Sequence, residues 1–384
     1  MKKIKILNFS IPYTKYLSNL SKKIATNQIH VEHFWCKSMK YWEPSETETE
    51  MFREVKMRSI SIPIKNDSHG RYEEHFSFEF LLYLIKKKSN LLIIDSNLIS
   101  SFLYMFLAKL LKIKIISLTT NFPDTSTKWG RISDKILRFN DFLVDHYVVP
   151  STTKKENMIK LKIKPSKITC IGHGVDIEKF RINSKKIPVN IPCNKKIILS
   201  IGRFNIKKGK KYVIESFQEV KKQVDDAFLV IIGNGPEKEN IINLIKKMNL
   251  EDSVLLIDIV DNSLMPDYYS SADVIVIPTI EPEPFGPIYL ESMASGSPIV
   301  AFSVGGGEKD LIQNKINGIL VKTRDVKEMS NAIVELLNDD EKRKSMGAYS
   351  RKIIQENYTY EILAEKWRSV IRGLVNINNK TELN

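Results

Sequence analysis

The residues best suited to chemistry lie in the second half of the chain, where short apolar runs give way to glycine. The segment Leu199-Ser200-Ile201-Gly202-Arg203-Phe204-Asn205-Ile206-Lys207-Lys208-Gly209 closes one such run. Gly202 permits a tight turn and Gly209 opens the next helix, so Arg203 and Lys208 project from the turn. Two cations beside a helix start suit a diphosphate: the guanidinium offers a planar fork of donors and the ammonium a mobile point charge. Such turns are common, and alone this one proves little. A second turn, Ile232-Gly233-Asn234-Gly235-Pro236, allows close backbone approach to a ligand and serves equally well as punctuation.

The strongest signal runs from Pro278 through Glu283-Pro284-Phe285-Gly286-Pro287-Ile288 to Glu291, Gly296 and Pro298. Pro287 suits the first helical position, which puts Gly286 near the N-cap. The amides of that helix start, with their partial positive charge, suit a phosphate. Glu283, in the loop, can accept hydrogen bonds from sugar hydroxyls. Glu291, about one turn into the helix, can reach a ribose diol. Two such glutamates also occur for ordinary helix-dipole reasons, and it is the Phe-Gly-Pro and Gly-Ser-Pro context that favours the functional reading. A fourth turn, Gly305-Gly306-Gly307-Glu308, carries a glycine run that implies close backbone approach.

Elements that place these turns are legible as short runs rich in Ile and Val. In the first half they are Ile4–Leu7, Leu91–Ile94, Ile113–Leu118, Tyr147–Val149 and Ile168–Ile171. In the second they are Ile197–Ile201, Phe228–Ile232, Val254–Ile257, Val274–Ile277, Ile299–Phe302 and Gly318–Val321. They read as parallel strands covered on both faces. Between them the spacing is helical; Val213, Phe217, Val220 and Val224 share one stripe. Alternating strands and helices predict an α/β fold with parallel sheets. At 384 residues the chain accommodates two domains. We expect a Rossmann-like domain over 1–180, a Pro-containing linker over 181–195, a second Rossmann-like domain over 196–355 and a terminal helical segment over 356–384.

Charge is unevenly divided. Residues 1–190 hold 33 Lys+Arg and 18 Asp+Glu, a net +15, and the remainder holds 26 and 27, a net −1. The basic half suits an anionic membrane surface, a phosphate-bearing acceptor or nucleic acid, or is simply a Lys-rich solvated surface. No run reaches the ~20 apolar residues of a spanning helix, and the basic start lacks the apolar core of a signal peptide, so a cytoplasmic protein is expected, with peripheral docking on the inner membrane face as a further expectation. The stretch Ser101–Lys112 mixes apolar residues with cations and reads first as a core helix. Cys36, Cys170 and Cys193 suggest no disulfide framework. His30, His33 and Cys36 recur every three residues without a fourth ligand, so no metal site is expected.

The order Gly-Arg…Lys-Gly, Gly-Asn-Gly-Pro, Glu-x₇-Glu with Pro-Phe-Gly, then Gly-Gly and Asn317-Gly318, resembles the retaining glycosyltransferases of family four (glycosyl transferases group 1). Gly172-His173-Gly174-Val175-Asp176 resembles that family's approach to the interdomain hinge. The resemblance covers roughly residues 145–375 and only loosely the first 140. It implies two Rossmann-like domains facing each other across a cleft (GT-B type), and a terminal helix near Ile362–Leu374 that crosses back to the first. It also implies retaining transfer of a hexose-type sugar from a nucleotide diphosphate sugar, UDP or GDP, to a glycan or lipid-linked acceptor, as in glycan biosynthesis. No further cofactor and no metal are implied, since no Asp-x-Asp motif follows a strand. Arg203 and Lys208 would hold the diphosphate, Glu283 the transferred sugar and Glu291 the ribose. Gly202, Gly233, Gly235 and the segment Phe285, Gly286, Pro287 and Ile288 would line the donor pocket. Two places depart from the pattern: Phe9–Lys15 lacks paired glycines, and Thr119–Asp124 lacks a histidine. A nucleotide-sugar epimerase on the same fold is the alternative within enzymes. A basic nucleic-acid-binding protein is the alternative outside them, disfavoured by the lack of an aromatic-interleaved basic stripe.

Overall fold

Apolar runs of four to six residues are too short to bury a helix but long enough to cross a sheet, and they form two separate sheets. The computed structural model describes residues 3–9, 14–36, 49–67, 70–119, 128–180 and 194–375. The chain divides into two units: Met1–Gly174 with Tyr360–Asn384, and Val175–Thr359. Most of the expected linker (181–193) lies outside the described residues, as do residues 10–13 and 120–124 of the two departing segments considered above.

The first unit runs β1 (Ile4–Phe9), α1 (Thr14–Ile24), β2 (Ile29–Cys36), β3 (Phe52–Met57), β4 (Ile60–Asp67), β5 (Gly70–Phe76), α2 (Phe78–Lys86) and β6 (Leu91–Ile94). It continues through α3 (Ile99–Leu110), β7 (Lys114–Leu118), α4 (Lys128–Asn140), β8 (His146–Val149), α5 (Thr152–Lys160) and β9 (Ile168–Cys170). Seven strands pair in the order β3-β2-β1-β6-β7-β8-β9, all parallel. β2 and β3 were not evident in the sequence, because charged and polar residues interrupt their apolar pattern. Glu32 is nonetheless buried in β2. It is satisfied there by Lys5 at 3.0 Å and by the Tyr83 hydroxyl, which donates to it at 2.8 Å. β4 and β5 form an antiparallel hairpin, an addition to the parallel architecture. On β2, His30 and His33 are three residues apart and so point to opposite faces. Among the described residues no group of three His, Cys, Asp or Glu could hold a metal ion.

The expected core helix at Ser101–Lys112 is core on one face only. In α3, Tyr104, Met105 and Ala108 pack on the sheet, while Leu103, Phe106 and Leu110 are exposed. The sheet needs one covering stripe from this helix, and the apolar residues outnumber the places in that stripe.

The second unit contains β10 (Lys196–Ile201), α6 (Lys210–Lys221), β11 (Ala227–Ile232), α7 (Lys238–Lys247), β12 (Val254–Ile257), α8 (Met265–Ser271) and β13 (Val274–Ile277). Then follow α9 (Pro287–Ala294), β14 (Ile299–Ser303), α10 (Glu308–Leu311), β15 (Gly318–Lys322), α11 (Val326–Asn338) and α12 (Asp340–Asn357). All six strands expected here are present, in the parallel order β12-β11-β10-β13-β14-β15. The chain builds outward from β10 in one direction, then returns to build outward from β13 in the other. The carboxyl ends of β10 and β13 therefore diverge into a crevice at a topological switch point, where ligands bind in open α/β sheets.

A last helix, α13 (Tyr360–Val375), belongs to the first unit. Its Leu363, Ala364, Trp367 and Ile371 are buried in one cluster with Ile4, Ile6, Leu20 and Ile24. Trp367→Ala should leave an unfilled space in that cluster and cost about 3–5 kcal/mol of stability. Urea denaturation of the full chain checks this; an unchanged midpoint would mean that the helix is dispensable to the unit.

Candidate functional site

The switch point places four turns side by side, at the carboxyl ends of β11, β10, β13 and β14, and these are the four that the sequence singled out. Their glycines are explained first by packing of turn against turn. A Cβ on Gly233 would lie 2.1 Å from the Gly202 carbonyl oxygen, so only glycine lets the turns after β10 and β11 touch. They are joined by Gly202 N–H donating to Ile232 O and Phe204 N–H to Asn234 O, each at 2.9 Å. A Cβ on Gly306 would lie 2.6 Å from Glu283 O, so the glycine run after β14 fits against the loop after β13. The amides of Val304, Gly305 and Gly306 donate to the Glu308 carboxylate at 2.9, 2.7 and 2.8 Å. That concavity already holds an internal anion.

The turn after β10 is fastened to the loop after β13 by two ion pairs. Lys207 meets Glu281 at 2.6 Å, and Lys208 meets Glu283. Ile280 N–H also donates to Lys207 O at 2.9 Å. The turn is shaped by Asn205, whose side chain accepts from Lys208 N–H at 2.9 Å. Lys208 and Glu283, assigned from sequence to the diphosphate and the sugar, thus touch each other. Arg203 is exposed, and its side chain has no hydrogen-bond or ion-pair partner among the described residues. It stands at the mouth of the same turn.

Opposite these groups begins α9, with Gly286 as N-cap in an extended conformation and Pro287 as first helical residue. Gly286 lies beside Glu283: a Cβ there would be 3.5 Å from Glu283 Oε2. Ile288 borders Gly202, where a Cβ would meet Ile288 Cδ1 at 3.7 Å. Phe285 turns its ring into the core, 5.7 Å from that of Tyr358, leaving only backbone to the loop. Gly235 lies further back, against Phe204 O. Glu291 sits apart from the ion pairs, one turn into α9, and accepts a hydrogen bond from the buried Tyr269 hydroxyl at 2.7 Å. Burial raises the Glu291 carboxyl pKa, against the lowering effect of Tyr269 and Lys179. Tyr269 therefore fixes one carboxylate oxygen of Glu291.

Lys210 was not singled out from the sequence. It is 3% exposed, and its ammonium donates to Ser200 Oγ at 2.7 Å and Ile201 O at 2.9 Å. Ser200 Oγ in turn donates to Val276 O at 2.9 Å, tying β10 to β13 beneath the site. A Cβ on Gly202 would lie 3.9 Å from Lys210 Nζ, so a buried cation underlies the turn. The signal was available: Lys210 occupies the buried stripe of α6 with Val213, Phe217 and Val220. Tyr269 gave no such signal, since only the fold brings it to Glu291.

Burial holds the Lys210 pKa well below 10.5; Lys208 lowers it further, and Glu283 opposes both. The unfolded chain binds the proton more readily than the folded one, so the cost of burial is fully present below the folded pKa and is relieved as pH rises towards the unfolded value. The stability of the wild type relative to Lys210→Met should therefore rise between about pH 7 and about pH 10. Denaturation midpoints of both proteins at the two pH values test this, and a constant difference would contradict it.

Residues 182–353 match the family model described as glycosyl transferases group 1. An uncharacterized glycosyltransferase of Haemophilus influenzae is 33% identical over 204 residues, covering 50% of this chain and 57% of that protein. A GDP-mannose-dependent alpha-(1-6)-phosphatidylinositol monomannoside mannosyltransferase of Mycobacterium tuberculosis is 29% identical over 182 residues, covering 46% and 47%. The chain thus spans about half the length of the curated relatives it matches. The HepE structure of Anabaena in complex with UDP superposes with a TM-score of 0.78 at 14% identity, covering 96% of this chain and 100% of that one. The sucrose-phosphate synthase of Thermosynechococcus elongatus superposes at 0.74 with 20% identity, covering 97% and 100%. With its candidate site at the switch point of the second unit, the chain is similar to the glycosyl transferases group 1 over residues 182–353 and has the two-domain, twin-Rossmann fold of GT-B type.

Proposed function

We propose that the protein is a retaining glycosyltransferase that moves a hexose-type sugar from a nucleotide diphosphate sugar, UDP or GDP, to a glycan or lipid-linked acceptor. The observation that carries this reading is the contact between Lys208 and Glu283 at the switch point, with Arg203 exposed beside it. A cation for a phosphate and an acid for sugar hydroxyls stand next to each other, as the two halves of a sugar–phosphate bond require. The helix start at Gly286 and Pro287 adds partial positive charge on the other side of the loop. Relatives support the donor class: one is named for its dependence on GDP-mannose, and HepE was solved with UDP.

In the proposed reaction the bond from the anomeric carbon to the diphosphate oxygen breaks, and the bond to the acceptor oxygen forms on the same face. The acceptor proton passes to the departing phosphate oxygen. Arg203, Lys208 and the start of α9 take up the charge that grows on the diphosphate; preorganised electrostatics of this kind is often the largest catalytic contribution. Glu283 positions the sugar through its hydroxyls. Glu291, held by Tyr269, accepts from the ribose. Gly202 keeps backbone rather than a side chain next to the nucleotide, Gly233 and Gly235 let the adjoining turns close up around it, and Phe285, Gly286 and Ile288 border the sugar–phosphate bond. Lys210 supports the turn from beneath.

Arg203→Ala and Lys208→Ala should each weaken donor binding roughly tenfold to a hundredfold, the loss of a charge-assisted hydrogen bond of ~1.5–3 kcal/mol. Glu283→Gln should lower turnover more than UDP or GDP affinity, and Glu291→Gln should do the reverse. Calorimetry with the free nucleotide, paired with turnover on a sugar donor, separates the two. Near-normal turnover in both cation variants, or equal affinity loss in both glutamate variants, would overturn the assignment. Release of nucleotide with sugar transfer to an acceptor, rather than conversion of one nucleotide sugar to another, separates this reading from an epimerase.

In this reading Arg203 and Lys208 do on the diphosphate the work that a divalent ion would otherwise do. Transfer should therefore persist in excess chelator. Loss of activity with EDTA that Mn²⁺ or Mg²⁺ restores would refute metal independence.

A further inference from the structure

Among the described residues, exposed large apolar side chains are concentrated in one part of the first unit. Phe78, Leu82 and Ile85 form a stripe along the outside of α2. Ile99, Leu103, Phe106 and Leu110 form a second along the outside of α3, which packs beside α2 on the sheet. A chain of aromatic rings extends the surface to α4: Phe102 lies 6.0 Å from Phe106 and 5.6 Å from Phe139, and Phe139 lies 5.9 Å from Phe142. Phe139 and Phe142 are 62% and 63% exposed. Scattered exposed apolar residues need no explanation, but adjoining stripes on neighbouring helices do.

The surroundings are basic. Lys86, Lys87 and Lys88 are exposed at the end of α2, as are Lys112 beyond α3 and Lys135 and Arg138 on α4. Residues 78–142 contain 10 Lys+Arg and 5 Asp+Glu. Two of those acids already face cations from elsewhere: Glu79 pairs with Arg58 at 3.3 Å and Asp141 with Lys167 at 3.1 Å. No helix among the described residues is long and apolar enough to cross a membrane.

We propose that the outer face of α2, α3 and the end of α4 docks on an anionic lipid bilayer. Its rings and aliphatic side chains enter the boundary between headgroups and acyl chains, and the flanking lysines reach the lipid phosphates. A second copy of this chain fits the face less well, because a two-fold contact brings the same basic rim against itself. The proposal deepens the transferase reading, on which it rests for its purpose: it names the surface that would bring the enzyme to a lipid-linked acceptor.

The test is co-sedimentation of the full chain with vesicles of phosphatidylcholine alone or mixed with phosphatidylglycerol, at low and high salt. No nucleotide sugar is added, so failure here is distinct from failure of the donor assignment, which is read without vesicles. The wild type should pellet with the anionic vesicles and be released by salt. Replacing Lys86, Lys87 and Lys88 together by Gln should weaken partitioning roughly a hundredfold. Leu103→Ser with Phe106→Ser should weaken it at least about tenfold, with circular dichroism and UDP or GDP binding unchanged. Failure to pellet with either vesicle, or pelleting that neither variant alters, would overturn the proposal. So would a wild-type dimer on size-exclusion chromatography that the Leu103 and Phe106 double variant dissociates, since the face would then be a self-association surface.

Discussion

Two adjacent lysine–glutamate pairs, Lys207 with Glu281 and Lys208 with Glu283, fasten the turn after β10 to the loop after β13. The rest of the candidate site depends on this closure. β10 and β13 are neighbours in the sheet but lead in opposite directions, so nothing in the strand pairing itself holds their outgoing loops together. Paired charges at the crevice do so, and they leave a cation and an acid side by side at the place proposed above for the sugar–phosphate bond. Each pair is partly exposed and contributes little to overall stability. Their importance is geometric: they set the spacing of the groups that would act on the ligand.

Beneath the pairs, a polar thread runs from the Lys210 ammonium through Ser200 Oγ to Val276 O. A lysine in an apolar stripe is costly to bury, and it is tolerated here because two acceptors meet its ammonium. The same packing explains the glycines. At Gly233 and Gly306 the neighbour that excludes a side chain is the backbone of the adjoining turn. Close approach of the four turns to one another compresses the rim of the sheet, and any ligand then meets a floor built largely of main chain.

In the first unit, burial and exposure divide the helices lengthwise. The sheet takes Phe80 and Leu84 from α2 and Tyr104, Met105 and Ala108 from α3, and leaves apolar residues on the opposite faces. A helix that only covers a sheet needs one apolar stripe; these have two. The inner stripe is accounted for by the fold, and the outer one, rimmed with lysine, by the lipid surface proposed above.

The amino-acid sequence by itself determined the six strands of the second unit, five of the seven parallel strands of the first, the terminal helix and the motif-bearing turns. Unbroken Ile and Val runs bounded by glycine have few other ways to fold, because a buried parallel strand is apolar on both faces. β2 and β3 stayed hidden because Glu32 is acceptable inside the sheet only once Lys5 and Tyr83 are there to meet it, and Tyr83 lies 51 residues away. Among the candidate site residues, Arg203, Lys208, Glu283 and Glu291 were legible as charged groups beside glycine and proline. That Lys208 contacts Glu283, 75 residues distant, was not. Nor was the Tyr269 hydrogen bond to Glu291, or the burial of Lys210 beneath Gly202. Sequence periodicity records which face of an element is apolar. Which polar groups meet across elements follows from strand order, and strand order is decided only when the whole sheet assembles.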